Sequence, residues 1–212
     1  MTYIPISAAI ITYNEAHILE RTLQSLDGVV DEIVILDSGS TDETKAIAAR
    51  YNVKWHEQAF AGFGAQKNAA ISYTSNDWVL CIDADEVLSP KLQYAIKTLK
   101  DGSINSFAGY SFSLLNNYLG GWIKHGGWYP DYKPRLFNKN WGAWSLDDVH
   151  EKWQFHSTVD VMQTLPYDLH HYTITSYEQH LEKIKKYASL SAQKAINKGK
   201  KCSAFKARWA PQ

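Results

Sequence analysis

Apolar runs alternate with segments of helical periodicity over the first hundred residues. Four short runs rich in aliphatic residues have the length and composition of buried strands, at residues 6–11, 32–36, 53–56 and 78–82. Between them apolar residues recur at helical spacing, as at Ile18, Leu19, Leu23 and Leu26. Strands that alternate with helices in this way predict an α/β fold, with a parallel sheet covered by helices on both faces.

Polar segments mark the starts of three predicted helices. Residues 40–43, with the sequence Ser-Thr-Asp-Glu, match a capping box in which Ser40 is the N-cap. Residues 89–90 combine a serine that caps well with a proline that fits the first turn. Thr12 or Asn14 can cap the helix after the first strand. These signals predict a helix after the first, second and fourth strands.

The pattern changes beyond about residue 101, where periodicity weakens and aromatic residues become frequent. Such a segment suits an irregular wall on which the flat faces of a ligand stack, with packing of the rings into the core as the alternative. We expect most of these rings to belong to the core. They are Trp122, Trp128, Tyr129, Tyr132, Trp141, Trp144 and Trp153. From Tyr177 onward the pattern is helical again.

A cluster of carboxylates ends the fourth apolar run. Asp83, Asp85 and Glu86 follow directly after Ile82. Residues i and i+2 of a strand point to the same side, so Asp83 and Asp85 can share one target. Neighbouring carboxylates repel each other unless a proton or a cation lies between them, and a divalent ion carrying a phosphate relieves that repulsion. The motif predicts a metal site, with a solvated turn that caps the next helix as the alternative.

Polar residues follow three of the four predicted strands at the point where each strand ends. These segments are residues 12–15, 37–40 and 83–85. Ligands of parallel sheets bind beyond the carboxyl ends of the strands. We therefore expect the three segments to meet at one crevice and to form a binding site there.

Charge is distributed unevenly, although the formal net charge is zero. Residues 183–212 contain nine Lys or Arg and no Asp or Glu. This basic segment favours contact with an anionic membrane surface, with a solvated helix end as the alternative. Nucleic-acid binding would require basic residues near the aromatic segment as well, so we expect no nucleic-acid partner.

Cysteine content and hydropathy indicate the compartment. Cys81 and Cys202 lie far apart and match neither a disulfide framework nor a zinc-site spacing. The start lacks the features of a signal peptide, and no window of about 18 apolar residues occurs. We expect a cytoplasmic protein that lies at the inner face of the cell membrane if the basic segment binds lipid. Residues 206–212 carry no obvious stop signal, which predicts a truncated chain.

Taken in order, the motifs resemble those of family 2 glycosyltransferases of the GT-A type. They are residues 11–15 (Ile-Thr-Tyr-Asn-Glu), 37–42 (Asp-Ser-Gly-Ser-Thr-Asp), 66–68 (Gln-Lys-Asn) and 83–86 (Asp-Ala-Asp-Glu). Later segments are similar to the subgroup that adds glucose in β-1,4 linkage to the inner core of lipopolysaccharide. These segments are residues 127–131, 135–137, 149–151 and 169–172.

The resemblance implies a Rossmann-like nucleotide-binding sheet followed by an aromatic-rich acceptor region. It implies a single catalytic domain over residues 1–176, divided into a nucleotide-sugar-binding half at 1–100 and an acceptor half at 101–176. A basic helical segment follows at 177–212. The implied reaction is an inverting transfer of a hexose, in particular glucose, from a UDP-sugar to a glycolipid or polysaccharide acceptor such as lipopolysaccharide core.

The resemblance also implies a metal site and a nucleotide site. Asp85 would bind Mg²⁺ or Mn²⁺ directly, with Asp83 beside the ion or facing the ribose. The uracil edge would be read by Asp37, and the nucleoside pocket would be lined by Thr12 and Glu15. Lys67 would lie near the uracil or the phosphates, with a surface lysine as the alternative. His150 or His170 could assist the metal, although hydrogen-bonded structural roles are commoner for histidine.

Inverting transfer requires a base that accepts the proton of the acceptor hydroxyl. Glu151 is the first candidate, because related enzymes have an acidic pair at this stage of the chain, where this sequence has Val149-His150-Glu151. The rival carboxylates are Asp131, Asp147 and Asp148. Trp128 is a candidate platform for the acceptor, with core packing as the alternative.

Two other functional classes fit parts of the sequence. A phosphohydrolase of the haloacid dehalogenase type would use Asp83 as nucleophile and Asp85 as acid and base, with Asp147 and Asp148 holding magnesium. That motif usually lies near the start of a chain, whereas three strand-helix units precede it here. A noncatalytic sugar-binding module is the second alternative, because aromatic crowding alone does not require turnover.

Overall fold

The computed structural model describes residues 3–146, 151–156, 161–197 and 199. The first part of the chain contains β1 (Ile6–Thr12), α1 (Leu19–Leu26), β2 (Glu32–Asp37), α2 (Thr44–Ala48), β3 (Lys54–Glu57), α3 (Phe63–Ser72), β4 (Trp78–Asp83), β5 (Glu86–Leu88) and α4 (Pro90–Leu99). The second part contains β6 (Gly109–Tyr118), β7 (Gly121–Trp122), β8 (Tyr132–Asn138), β9 (Gly142–Trp144), β10 (Trp153–Phe155), β11 (Met162–Ile174) and α5 (Tyr177–Asn197).

The four strands predicted in the first hundred residues form one half of a sheet. They run parallel in the order β3-β2-β1-β4, with β1 between β2 and β4. A central parallel strand is buried on both faces, which explains the unbroken apolar sequence of β1. The prediction of these four strands and of their parallel pairing is confirmed.

The second half extends the same sheet with mixed pairing. β8 is antiparallel to both β4 and β6, and β11 is parallel to β6 and antiparallel to β5. The expectation of an irregular wall beyond residue 101 is therefore wrong for β6 and β11. β6 escaped prediction because polar residues such as Ser111, Ser113 and Asn117 occupy buried positions in it. β11 escaped because most of its residues are only partly buried.

Aromatic rings of the second half are less buried than the sequence led us to expect. Trp144 and Trp153 are buried and pack with Phe137. Four other rings are exposed, namely Trp122, Trp128, Tyr132 and Trp141. Most of the aromatic segment is thus available to contact other molecules, and the expectation that most of it is core is wrong.

Of the three helix caps predicted from the sequence, one is confirmed. Ser89 caps α4, with its Oγ accepting a hydrogen bond from the Leu92 amide at 3.3 Å. The prediction of a capping box at Ser40 is wrong, because α2 begins at Thr44 with no side-chain cap. The expected cap of α1 by Thr12 or Asn14 is wrong too, because α1 begins at Leu19 without one.

Asn14 and Ser40, which were predicted to cap helices, connect two loops instead. The Asn14 backbone amide donates to Ser40 Oγ at 2.8 Å, and the Thr41 amide donates to Asn14 Oδ1 at 2.8 Å. Asn14 adopts a positive φ of 55°, a conformation that asparagine tolerates better than most residues. The polar side chains after β1 and β2 therefore join the ends of these two strands, which lie beside each other in the sheet.

Apolar clusters cover both faces of the sheet. One cluster contains α1 and α4, for example Leu23 and Ile96, against Ile10 and Leu80 of the sheet. The other contains Ala70 and Ile71 of α3, together with Trp144 and Trp153 of the small β9-β10 sheet. The predicted covering of both faces is confirmed, with a two-stranded sheet supplementing the helix on one side.

The predicted C-terminal helix is present as α5. His180 of α5 packs against Tyr118 at the end of β6, with 5.5 Å between ring centroids. In the described part of the chain, no helix combines the length and apolar character needed to cross a bilayer. Most of the basic segment beyond Asn197 lies outside the described residues.

Candidate functional site

A cleft of about 690 Å³ lies beyond the carboxyl ends of the parallel strands. The three polar segments predicted to converge all contribute to its wall, through Thr12, Ser38 and Asp83 among others. Most of its lining residues come from these strand ends and from α3. They are Ile11, Thr12, Tyr13, Glu15, Ser38, Phe60, Phe63, Lys67, Asp83, Ala84, Asp85, Glu151, His171 and Thr173.

A buried lysine lies between two carboxylates in this cleft. Lys67 Nζ is 3.1 Å from Asp83 Oδ1 and 2.8 Å from Glu151 Oε1, and its side chain is only 3% exposed. The ammonium also lies 4.8 Å from the centre of the Trp144 ring, within range of a cation–π contact. Burial alone would lower the pKa of Lys67, but the charges of Asp83 and Glu151 raise it. Lys67 is therefore a permanent positive charge.

Close packing of α3 against the segment that contains Glu151 makes this contact feasible. A Cβ on Gly64 would lie 1.9 Å from the Ser145 carbonyl oxygen, so only glycine fits there without a shift. Asn68 hydrogen-bonds both the amide and the carbonyl of Trp144 at 2.9 Å. These contacts hold the second half of the chain within reach of Lys67.

A second buried cation adjoins Asp83. Arg135 Nε and Nη2 donate to the two carboxylate oxygens of Glu86 at 2.8 and 2.6 Å, and Nη2 lies 3.4 Å from Asp83 Oδ2. Burial alone would raise the pKa of Asp83, but Lys67 and Arg135 hold it at about 2. Asp83 is thus ionised without a metal. The sequence showed Glu86 as part of the carboxylate cluster but assigned no role to Arg135, since an arginine within a strand carries no local signal of its partner.

Asp85 contacts a histidine of β11. His171 Nε2 lies 3.3 Å from Asp85 Oδ2, and His171 Nδ1 contacts Asn116 Oδ1 at 2.7 Å. Burial by itself would lower the pKa of His171, but Asp85 raises it. His170, the residue selected from the sequence, instead lies beside Trp122. Successive strand residues point to opposite faces, so an offset of one residue along β11 separates the two histidines.

The carboxylates of the cleft can bind a divalent ion only if other groups supply additional ligands. Across the described ranges, no three His, Cys, Asp or Glu side chains converge as a metal-binding group. Asp83 contacts two buried cations, Lys67 and Arg135, whereas Asp85 contacts only the titratable His171 among the ion pairs of the cleft, so Asp85 is the better placed of the two for an ion. Magnesium commonly binds one or two carboxylates together with phosphate oxygens of the substrate. The arrangement therefore fits an ion that arrives with a diphosphate.

Residues expected at the nucleoside pocket differ in their placement. Thr12 lines the cleft, and its buried Oγ1 has no hydrogen-bond partner among the residues described. Glu15 also lines the cleft. Asp37 does not; its Oδ2 accepts hydrogen bonds from the amides of Gly39 and Ser40 at 2.8 and 2.7 Å. In this structure Asp37 shapes the loop after β2.

Aromatic rings that the sequence did not single out also line the cleft. Tyr13 is 54% exposed and Phe60 is 52% exposed, and Phe60 packs edge-on against Phe63. Exposed rings at the mouth of a cleft suit a flat ligand that stacks on them. Tyr13 and Phe60 both lie shortly after a predicted strand, and this position could have identified them. The many aromatic residues after residue 101 made that signal hard to recognise.

Two other predicted residues lie elsewhere. Asp131 forms an ion pair with Lys133 at 3.0 Å and is not among the cleft residues. Trp128 is 47% exposed and also lies outside the cleft lining. The remaining candidates, Asp147, Asp148 and His150, lie outside the described residues.

Comparisons with known proteins agree on one family. A model described as Glycosyl transferase family 2 matches residues 7–147. An uncharacterized glycosyltransferase of Rickettsia felis is 34% identical over 218 residues, covering 95% of this chain and 74% of the relative. The lipopolysaccharide core biosynthesis glycosyltransferase LpsC of Rhizobium meliloti is 29% identical, covering 98% of this chain and 78% of its own length.

A solved structure shares the fold. The crystal structure of S. aureus TarS 1-349 matches with a TM-score of 0.52 at 16% identity. The match covers 80% of this chain and 61% of the TarS chain. This chain thus spans somewhat less than two thirds of that protein fragment.

Replacing Lys67 should destabilise the fold strongly. Lys67→Met leaves Asp83 and Glu151 without their shared partner, and removal of one member of a buried ion pair costs about 3 kcal/mol or more. Urea unfolding measures the change. Lys45→Met is the matched control, because the Lys45–Glu57 pair is mostly exposed and its loss should lower the free energy of unfolding much less. Equal losses in the two variants would contradict the structural role of Lys67.

The same variant should change the response to acid. Because the pKa of Asp83 is about 2, below the ordinary 3.8, this group stabilises the fold above about pH 4 and its contribution is lost as the pH falls towards 2. Without Lys67 the pKa of Asp83 moves upward, so Lys67→Met should lose less further stability over that range. Unfolding free energies measured at several pH values test this.

Proposed function

The chain belongs to glycosyl transferase family 2, and we propose that it transfers a hexose from a UDP-sugar to a saccharide acceptor with inversion at the anomeric carbon. Its fold is of the expected GT-A type. We propose glucose as the sugar and a glycolipid such as lipopolysaccharide core as the acceptor. The similarity to LpsC, which spans nearly the whole chain, supports this choice of acceptor.

One observation carries the proposal. Asp85 and Glu151 come from distant parts of the chain but line the same cleft, together with the exposed ring of Tyr13. A nucleotide-sugar needs a flat surface for its base, a partner for its diphosphate and a carboxylate near its anomeric carbon. The cleft offers all three kinds of group at the sheet edge where ligands of such folds bind.

In the proposed complex the nucleoside lies towards the ends of β1 and β2. Tyr13 and Phe60 would contact the base, and the unpartnered Thr12 Oγ1 would gain a hydrogen bond that it lacks in the described structure. Asp85 would hold Mg²⁺ or Mn²⁺ against the diphosphate. When bound, such an ion neutralises the charge that develops on the leaving diphosphate.

Glu151 is proposed as the base. The acceptor hydroxyl oxygen forms a bond to the anomeric carbon while the bond from that carbon to the diphosphate oxygen breaks, and Glu151 accepts the hydroxyl proton. Its contact with Lys67 at 2.8 Å supports a fixed orientation of this carboxylate in the cleft. Lys67 also contacts Asp83, so it would connect the acceptor side of the site with the donor side.

The alternative classes lack comparable support. The family match is to glycosyltransferases, so a phosphohydrolase of the haloacid dehalogenase type is not supported. Asp83, its required nucleophile, is held between Lys67 and Arg135. A noncatalytic sugar-binding module remains distinguishable by turnover, because only an enzyme releases UDP from UDP-glucose in proportion to sugar transferred.

Nucleotide binding should depend on metal through Asp85. We expect MnCl₂ to raise the affinity for UDP at least about tenfold, which calorimetry would measure, and to raise the affinity for UMP much less, since UMP lacks the diphosphate. Asp85→Ala should abolish the enhancement for UDP and leave circular dichroism unchanged. Manganese without nucleotide should bind weakly.

A matched control for this experiment is Asp27→Ala, which removes an exposed carboxylate at the end of α1. This variant should keep the full manganese enhancement. An Asp85→Ala protein that still binds UDP more tightly with manganese would remove the metal role from Asp85.

Replacing the proposed base should slow transfer without weakening donor binding. Glu151→Gln retains shape but cannot accept the proton, so turnover should fall about a hundredfold or more while UDP affinity persists. Glu57→Gln, at an exposed carboxylate, should leave turnover unchanged. Near-normal turnover in Glu151→Gln would transfer the role to Asp131, Asp147 or Asp148, and loss of UDP binding would assign Glu151 to the metal.

The basic segment is proposed to hold the enzyme peripherally at the inner face of the cell membrane. Nine basic residues between 183 and 212 each contribute about 1 kcal/mol near an anionic surface. Sedimentation should show binding to vesicles with anionic lipid, weakening as salt rises, and little binding to neutral vesicles. Changing Lys194, Lys198, Lys200 and Lys201 to Gln should remove most binding. Equal recovery of this variant and the unmodified chain would contradict the proposal.

A further inference from the structure

Three ring-bearing side chains form a partly exposed cluster on β7 and β11. Trp122, His170 and Tyr172 make up this cluster, called the aromatic platform below. The Trp122 ring centroid lies 4.7 Å from that of His170 and 5.5 Å from that of Tyr172. Trp122 is 38% exposed, whereas tryptophan is highly buried on average. The platform therefore presents apolar ring surface to solvent.

Backbone pairing holds the platform in place. Trp122 belongs to β7, which pairs with the end of β6 through Asn117. The Ile123 amide donates to the Asn116 carbonyl at 3.0 Å, and the Leu119 amide donates to the Ile174 carbonyl at 2.9 Å. The hairpin that carries Trp122 is thus fixed on both sides to β6 and β11. An exposed tryptophan on a fixed hairpin is suited to contact a ligand without prior ordering.

Sheet topology puts the platform at the same edge as the cleft. β6 and β11 run parallel to each other and, through the antiparallel β8, parallel to β4. Their carboxyl ends therefore meet the sheet edge at which Asp83 and Asp85 emerge. The Tyr172 amide donates to the Asp85 carbonyl at 3.0 Å. Between the two platform residues of β11, His171 turns to Asp85.

A cation borders the platform. Arg21 Cζ lies 5.6 Å from the centre of the Tyr172 ring. Its guanidinium, on an exposed residue, retains donors for the hydroxyl or acidic groups of a ligand. The combination of flat apolar faces with a polar rim is the arrangement that suits a sugar ring, which has apolar C–H faces and polar edges.

We propose that the aromatic platform is an acceptor subsite, on which one sugar ring of the acceptor saccharide stacks against Trp122. This inference rests on the proposed function. In the proposed function the cleft holds the donor, and the hydrogen bond from the Tyr172 amide to the Asp85 carbonyl connects the platform to the wall of that cleft. Trp128, selected from the sequence for the same role, is on the loop after β7 and shares no ring contact with this cluster in the described structure.

Acceptor kinetics test the subsite. The donor is UDP-glucose with MnCl₂, and the probe acceptor is the oligosaccharide released by deacylation of lipopolysaccharide truncated in its inner core. Trp122→Ala should raise the KM for the oligosaccharide about tenfold, with much less change in kcat, because it removes binding that does not depend on the transition state. Trp122→Phe, which keeps a flat ring, should recover most of the affinity.

Donor measurements separate the subsite from the proposed function. Calorimetric UDP affinity and slow hydrolysis of UDP-glucose without acceptor should be the same in Trp122→Ala and the unmodified chain. Tyr94→Ala removes an exposed ring from α4 and serves as a control for general surface effects, with no change expected. Thermal unfolding should show that Trp122→Ala remains folded.

Each outcome decides between the alternatives. The acceptor role of the platform is wrong if the KM for the oligosaccharide is unchanged in Trp122→Ala, or if it rises in Trp128→Ala instead. In that case, transfer by the unmodified chain still supports the proposed function. A loss of UDP affinity in Trp122→Ala overturns the acceptor role as well. Failure of the unmodified chain to hydrolyse UDP-glucose or to glucosylate the oligosaccharide overturns the proposed function, and the platform with it.

Discussion

The buried ammonium of Lys67 is the interaction on which the site depends. Removing a lysine from water is expensive unless carboxylates compensate its charge, and here Asp83 and Glu151 do so from opposite halves of the chain. The contact requires α3 to pack directly against the segment after β9, which the absence of a side chain at Gly64 allows. The ion pairs and the close packing therefore support each other, and together they bring the two halves of the chain into contact.

Arg135 likewise compensates negative charge in the carboxylate cluster after β4. Three acidic side chains within four residues would repel one another, yet Glu86 is neutralised by a bidentate arginine and Asp83 by two cations. Asp85 is paired with His171 in the cleft. The protein thus pairs its own cations with Glu86 and Asp83, and the described residues form no group of three metal-ligating side chains.

Mixed sheet topology gives the molecule one functional edge. The parallel strands β1, β2 and β4 carry residues of the cleft to this edge, while β6 and β11 bring Asn116, His171 and the aromatic platform to it from the other half. Because all five strands run in the same direction, their carboxyl ends lie side by side. Residues that are far apart in the sequence, such as Asp85 and His171, therefore become neighbours.

Local pattern was sufficient for the first four strands, their parallel pairing and the α4 cap, because apolar continuity and Ser-Pro chemistry act within a few residues. It also placed Thr12, Asp83 and Asp85 near one crevice, since each follows a strand end, whereas the position of Lys67 came only from the family resemblance. It could not find β6, in which polar residues such as Ser111 are buried, or β11, most of whose residues are only partly buried. The choice of His171 over His170, the partners of Arg135 and the loop role of Asp37 depend on register and distant contacts, which tertiary structure alone decides.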